Sequence, residues 1–313
     1  MKEGRGKSPG VKKTLNESVV TIPFKTRMED IMARKALLVG INDYEKVNDL
    51  RGCVNDVLDM HFSLRSLFGF KTKEIRVLTD SSATKDNIMY RLEWLVKGAK
   101  PGDFLFFHYS GHGSQIRDRD GDELVDHLDE LICPHDMDWR KKTYITDDEL
   151  NSVLSKVPAG ALLEVVLDSC HSGTGLRDVG LEPPEEEGPQ QVMSRYLPPP
   201  TDLFLRFSGE EDELEHKGFV EGAKRRRRKH HILWAGCRAD QTSADAYIDG
   251  RFHGAFTYYF NKHLRRTPSI SRRRLLQKVR ASLQWAHFSQ VPQLEVDATR
   301  RDRCVITDEP FEE

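Results

Sequence analysis

The chain has 313 residues, enough for one large α/β domain or two small ones. Its 48 Lys+Arg against 50 Asp+Glu leave a formal net charge of −2, which argues against a nucleic-acid coat. No apolar run approaches the roughly 18–20 residues that span a bilayer, and the basic start, MKEGRGKSPGVKK, lacks the apolar stretch of a secretory signal. Five well-separated cysteines (Cys53, Cys133, Cys170, Cys237, Cys304) with no CxxC pair exclude a disulfide framework and a zinc ribbon. A cytoplasmic, reducing setting is expected, with any single cysteine free to react.

Residues 1–33 read as a flexible N-terminal arm, or a pro-segment, with one short extended piece, SVVTIPF. The folded pattern begins at KALLVGI (Lys35–Ile41), an apolar run closed by turn residues, which predicts a buried strand. Helical spacing then runs over Cys53–Phe68 and stops at Gly69. EIRVLTD is a strand, and a helix follows over Thr84–Val96 with Ile88, Leu92 and Leu95 on one face. DFLFFHYS (Asp103–Ser110) and ALLEVVLDS (Ala161–Ser169) are further buried strands, with the shorter LDELICP and a helix at Asp147–Lys156 between them. The pattern breaks over 176–230, a charged linker holding LEPPEEEGPQ, LPPP, GEEDELE and KRRRRK. A loop of that length is usually functional or disordered. Strand character resumes at HHILWAG, and helices at Ala255–Leu264 and Arg272–Phe288 follow. In the latter, Leu275, Leu276 and Val279 face inward and the arginines form an exposed face. Strands alternating with helices imply a mostly parallel α/β sheet flanked by helices on both faces.

Two strand ends finish in reactive groups. DFLFFHYSGHG delivers His112 between Gly111 and Gly113, and EVVLDSCHSG delivers Cys170. Ligands of open parallel sheets bind outside the carboxyl ends of the strands. A thiol and an imidazole brought there by neighbouring strands can form a nucleophile–base pair, because acyl attack needs a thiolate. The N–H groups of Gly113 and Cys170 are candidate oxyanion donors. Either residue alone is more often a small buried side chain or a turn residue; together, at corresponding strand ends, they favour catalysis.

HYSGHG and DSCHSG, in that order, resemble the motifs of caspase-fold cysteine peptidases, in particular metacaspases of type I or prokaryotic kind. ALLVGINDY, LRGCVNDV, DELICPHD, ITDDEL, WAGCRADQTSADA, GAFTYYF and VPQLE extend the resemblance across 33–308. It implies a caspase-like peptidase domain over 34–308, with a large-subunit-like part (34–175), the linker (176–230) and a small-subunit-like part (231–308). It implies His112 as base, Cys170 as nucleophile, and a pocket for Arg or Lys lined by Cys53, Asp56, Ser110 and Asp168. It also implies a monomer acting on protein or peptide substrates with a basic residue at the cleavage site, with no nucleic-acid or membrane partner. An activating partner protein or upstream protease remains an alternative, as does a non-catalytic interaction protein on the same fold.

Chemistry requires no cofactor, and calcium enters only as an activator. DRDGDELVDHLDE fails as an EF-hand loop, having Glu123 where the turn needs Gly and Asp129 at the twelfth position. The resemblance places calcium ligands at Asp129, Asp147 and Asp148, with Asp178 as a fourth, one residue further from Cys170 than the family spacing. Thr146 and Glu149 equally make Asp147 and Asp148 the first turn of a capped helix. In the linker, Lys224, Arg225, Arg226, Arg227, Arg228 and Lys229 suit an Arg-selective peptidase as a self-cleavage segment, placed between about Gly218 and His231. A targeting patch or a plain solvated loop are the other readings.

Overall fold

The strands foreseen at the centre form one six-stranded sheet in the computed structural model, which describes residues 33–117, 128–170, 192–201 and 231–311. The sheet comprises β1 (Arg34–Gly40), β2 (Ile75–Thr79), β3 (Phe104–Ser110), β7 (Leu162–Asp168), β9 (Ile232–Ala235) and β12 (Gln293–Glu295). Its order is β12-β9-β7-β3-β1-β2, parallel throughout except where β12 runs antiparallel to β9. A strand buried on both faces needs apolar residues at every position, which is why β3 reads FLFFHYS and is buried along its whole length.

Alternation along the strands divides the core in two. Leu37, Val39, Leu105 and Phe107 point to one face, where α2 (Lys85–Val96) and α3 (Asp147–Leu154) cover them with Ile88, Leu92, Leu150 and Val153. Ala36, Leu38, Phe104 and Phe106 point to the other, against α1 (Cys53–Phe68), α4 (Ala255–Arg266) and α5 (Arg272–Trp285). Helix starts follow their caps: Thr84, Thr146 and Ser271 accept from the backbone N–H three residues on. Among the described residues, no helix is long and apolar enough to cross a membrane.

Two small sheets were not foreseen. One joins β4 (Gly113–Arg117), β5 (Leu128–Ile132) and β6 (Ile145–Thr146); the other joins β8 (Val192–Ser194), β10 (Ala244–Ile248) and β11 (Arg251–Gly254). β8 lies inside the stretch expected to be a charged linker, and it pairs antiparallel with β10. The arginine face of α5 also needs correction: Arg272 is fully buried and donates through Nε to Glu164 on β7 at 2.7 Å. SVVTIPF and KRRRRK lie outside the described residues.

Candidate active site

The register of the central sheet brings three strand ends into one row, Gly40 beside Ser110 beside Asp168. Gly40 lets α1 start directly against this row, since a Cβ there would sit 2.5 Å from the Cys53 carbonyl oxygen. That approach carries Cys53 and Asp56 over the strand ends. Cys53, Asp56, Ser110 and Asp168, the four residues expected to line a pocket, are all fully buried. Asp56 Oδ2 accepts from Ser110 Oγ at 2.7 Å, and Asp56 also accepts from the Gly254 N–H. Asp168 accepts from Ser243 Oγ at 2.6 Å, from Thr257 Oγ1 at 2.7 Å and from the Thr257 N–H at 3.0 Å. Gly254 closes the wall: a Cβ there would meet Asp168 Oδ2 at 2.2 Å.

A third carboxylate, Asp245 on β10, joins them. Its Oδ2 accepts from the Arg51 and Gly52 N–H groups at 2.6 and 3.1 Å, so it pins the loop that enters α1. The pocket these acids form holds the side chain of Arg195. Arg195 is fully buried, with Nη2 2.8 Å from Asp56 Oδ2 and 3.6 Å from Asp245 Oδ1, and Nη1 3.4 Å from Asp168 Oδ2. Nη1 also donates to Ser110 Oγ at 2.8 Å and to the Asp168 carbonyl at 3.0 Å. Burial works against its charge, and Asp168, foremost among the surrounding groups, outweighs it, so the guanidinium is held above its ordinary pKa. Burial raises the Asp56 pKa, with Arg195 opposing.

His112 sits at the end of β3 with its backbone N–H donating to the Tyr44 hydroxyl at 2.8 Å. Its Nε2 lies 2.7 Å from the Asn48 carbonyl, which can only accept, so Nε2 carries the proton and Nδ1 the lone pair. Nδ1 is buried and has no hydrogen-bond partner among the described residues. Burial lowers the His112 pKa, the bond to Asn48 opposing, and the ring is neutral near pH 7. Cys170 is fully buried beyond the end of β7; its Sγ contacts the Ser243 N–H and lies 3.4 Å from the Ser243 carbonyl. Thiol and imidazole are thus at neighbouring strand ends but are not hydrogen-bonded to each other. Gly113 lies against Cys170, since a Cβ on Gly113 would fall 2.1 Å from the Cys170 carbonyl oxygen. The Gly113 N–H donates to the Arg195 carbonyl at 2.9 Å.

Comparison with known proteins agrees with this arrangement. Residues 34–178 match the family description "Metacaspase, peptidase C14 domain". Metacaspase-1 of Ajellomyces capsulatus is 37% identical over 284 residues, covering 83% of this chain and 79% of the relative. The chain belongs to the metacaspase family. It is accordingly a cysteine-type peptidase with protein substrates. Its caspase-like α/β fold is shared with Caspase-1 of Spodoptera frugiperda at a TM-score of 0.54 and 12% identity, covering 91% of this chain and 92% of the other. A protein from Geobacter sulfurreducens matches at a TM-score of 0.60 and 22% identity, covering 90% of this chain and all of the other.

Sequence reasoning about this metacaspase missed Arg195, Asp245, Asn48, Ser243 and Thr257. Only Asn48 and Arg195 were without any signal, because one acts through its carbonyl and the other lies in the apparent linker. The expected calcium ligands do not gather: among the described residues, no group of three or more His, Cys, Asp or Glu is placed to hold a metal ion. Asp129 is buried on β5 opposite Ile116, whereas Asp147 and Asp148 form the first turn of α3 inside the Thr146–Glu149 capping box. Asp178 and the segment Lys224–Lys229 lie outside the described residues.

Proposed function

We propose that this metacaspase is an endopeptidase that cuts after Arg, and less readily after Lys. Cys170 is the nucleophile and His112 the base, and the Gly113 and Cys170 N–H groups are the oxyanion donors. The observation that carries the reading is the pocket at the strand ends, where Asp56, Asp168 and Asp245 converge on one guanidinium. Three buried carboxylates leave an uncompensated charge unless a cation enters, and they repel an acidic side chain. A planar guanidinium reaches several acceptors at once and an ammonium fewer, which sets Arg ahead of Lys.

In the reaction, Nδ1 of His112 takes the thiol proton as Cys170 Sγ bonds to the carbonyl carbon of the basic residue. The oxyanion is held by the two N–H groups. Collapse breaks the C–N bond, and His112 returns its proton to the leaving amine. Water, deprotonated by the same imidazole, then hydrolyses the thioester and frees Cys170. The hydrogen bond to Asn48 keeps the required tautomer throughout.

Fluorogenic peptides ending in Arg, Lys or Asp, incubated with the wild type and with Cys170→Ala, test this directly. Hydrolysis in the order Arg, Lys, with none after Asp and none by Cys170→Ala, is expected; efficient cleavage after Asp would overturn the specificity. The same assay with calcium and with a strong chelator tests the activator role, which rests on the family resemblance and not on Asp129, Asp147 and Asp148 as placed. Self-cleavage between about Gly218 and His231, cytoplasmic location and a monomeric state belong to the same reading.

A further inference from the structure

The pocket that selects a cation is already full. Arg195 comes from the chain itself, and its backbone is docked as closely as its side chain. The Arg195 N–H donates to the Ser243 carbonyl at 3.0 Å, and the Arg195 carbonyl accepts from the Gly113 N–H at 2.9 Å. On one side of it, Val192–Ser194 pairs antiparallel with β10. On the other, the Leu197 N–H donates to the Gly113 carbonyl at 2.9 Å, and Ser114 Oγ donates to the Leu197 carbonyl at 2.5 Å. An arginine serving only to neutralise buried acids needs its guanidinium alone. Here an extended strand crosses the site, its carbonyl lies on the proposed oxyanion donor, and Ser243 is shared by the strand and the Cys170 thiol.

We infer that residues 192–197 are an internal substrate: Arg195 blocks the specificity pocket of the resting enzyme, and cleavage of the Arg195–Tyr196 bond releases the block. The inference rests on the peptidase reading above and adds to it a named self-cleavage bond, separate from Lys224–Lys229. The bond is cut by the ordinary reaction. Cys170 Sγ bonds to the Arg195 carbonyl carbon, the bond to the Tyr196 nitrogen breaks, and that nitrogen leaves as an amine carrying the proton from His112. Water then converts the thioester into the Arg195 carboxylate and restores the thiol. No other reactant is needed. The new carboxylate, beside Asp56, Asp168 and Asp245, adds a fourth negative charge and weakens the hold on the cleaved segment.

The full chain is followed by intact-mass spectrometry while initial rates on an Arg-ended fluorogenic peptide are measured. Four forms are compared: wild type, Cys170→Ala, Arg195→Ala and Tyr196→Pro. A fragment ending at Arg195 should accumulate in the wild type and be absent from Cys170→Ala, with peptide hydrolysis rising as it forms. Arg195→Ala should start roughly tenfold faster than uncut wild type, because a competitor occupying the pocket most of the time lowers apparent affinity by that factor. Tyr196→Pro should remain uncut at this bond and slow. The Tyr196 N–H meets only Ser194 Oγ, at 3.1 Å, so proline removes one exposed bond while crowding the leaving nitrogen. Full-rate peptide hydrolysis by a chain whose Arg195–Tyr196 bond is intact overturns the inference, as does Tyr196→Pro performing like wild type. Should Arg195→Ala fail to fold, the wild-type and Tyr196→Pro comparison still decides. If no form, including Arg195→Ala shown to be folded, hydrolyses the peptide, it is the Arg-specific peptidase reading that fails.

Discussion

Two arginines of this protein are fully buried, and they do opposite work. Arg272, at the first position of α5, donates through Nε to Glu164 and through Nη1 to Asp308, both at 2.7 Å, and to the Arg300 carbonyl at 3.1 Å. Glu164 in turn accepts from Trp234 Nε1 at 2.7 Å. This joint ties α5 and the C-terminal segment to β7 and β9, and its charges are matched, since Asp308 also faces Arg300 and Arg303. Arg195 faces three carboxylates, all of them already bonded to other elements of the site. A buried cation with matched partners is a structural joint. A cation set in an excess of acid at the carboxyl ends of the strands, with its backbone docked on both sides, occupies a place that another cation could take.

The difference breaks first under removal of the joint. Arg272→Met leaves Glu164 buried without its cation, and breaking a buried pair by deleting one partner costs about 3–5 kcal/mol. Urea unfolding should show that loss, with the order of Arg, Lys and Asp peptides unchanged in whatever fraction remains folded. A changed peptide preference would mean that the Glu164 joint reaches the site.

Acidification separates the two regions in a second way. His108, on β3 two residues before Ser110, is fully buried, and burial pushes its pKa from 6.5 down to about 4. Above pH 6.5 the ring is neutral in the folded and unfolded chains alike, so it contributes no pH dependence there. As pH falls from 6.5 towards 4 the unfolded chain takes up a proton that the folded chain refuses, and stability is lost through that window. At about 1.4 kcal/mol per pH unit the loss is at most about 3 kcal/mol. His108→Phe should flatten the stability profile between those pH values, measured by urea unfolding at pH 7.5, 5.5 and 4.5; an unchanged slope would assign the acid sensitivity to other groups.

Most of the central sheet was legible because buried parallel strands are long apolar runs, and because α1, α2 and α3 carry periodic faces and strong end signals. His112 and Cys170 were legible for a related reason: they follow those runs directly. What escaped was short and paired at a distance. The β10–β11 hairpin had a readable turn, Asp249–Gly250, both with positive φ as a two-residue hairpin turn requires. β8 had no such signal, since three residues in a charged stretch become a strand only by pairing with β10. Arg272 was read as exposed because helical periodicity reports which face is apolar and not which arginine has a carboxylate beneath it. The site repeats the lesson. Asp56 and Asp168 lie near recognisable strand ends, whereas the Asn48 carbonyl, Asp245 and Arg195 reach the site only through folding.

The smallest predicted effect sharpens the comparison most, because it asks the same substitution of both arginines. Asp56→Asn removes one charge from the Arg195 pocket yet keeps an oxygen for the Ser110 hydroxyl and the Gly254 N–H. A charge-assisted bond to a guanidinium is worth about 1.5–3 kcal/mol, so kcat/KM for Arg-ended peptides should fall by about 10- to 100-fold. Burial already raises the Asp56 pKa, so the neutral side chain is tolerated and the melting temperature should move little. Asp308→Asn removes one charge from the Arg272 joint at a residue that is one-fifth exposed, where solvent screens the pair. It should cost about 1 kcal/mol of stability and leave kcat/KM unchanged. If Asp56→Asn lowered stability and spared kcat/KM, Asp56 would belong to the framework, and the two buried arginines would be joints of one kind.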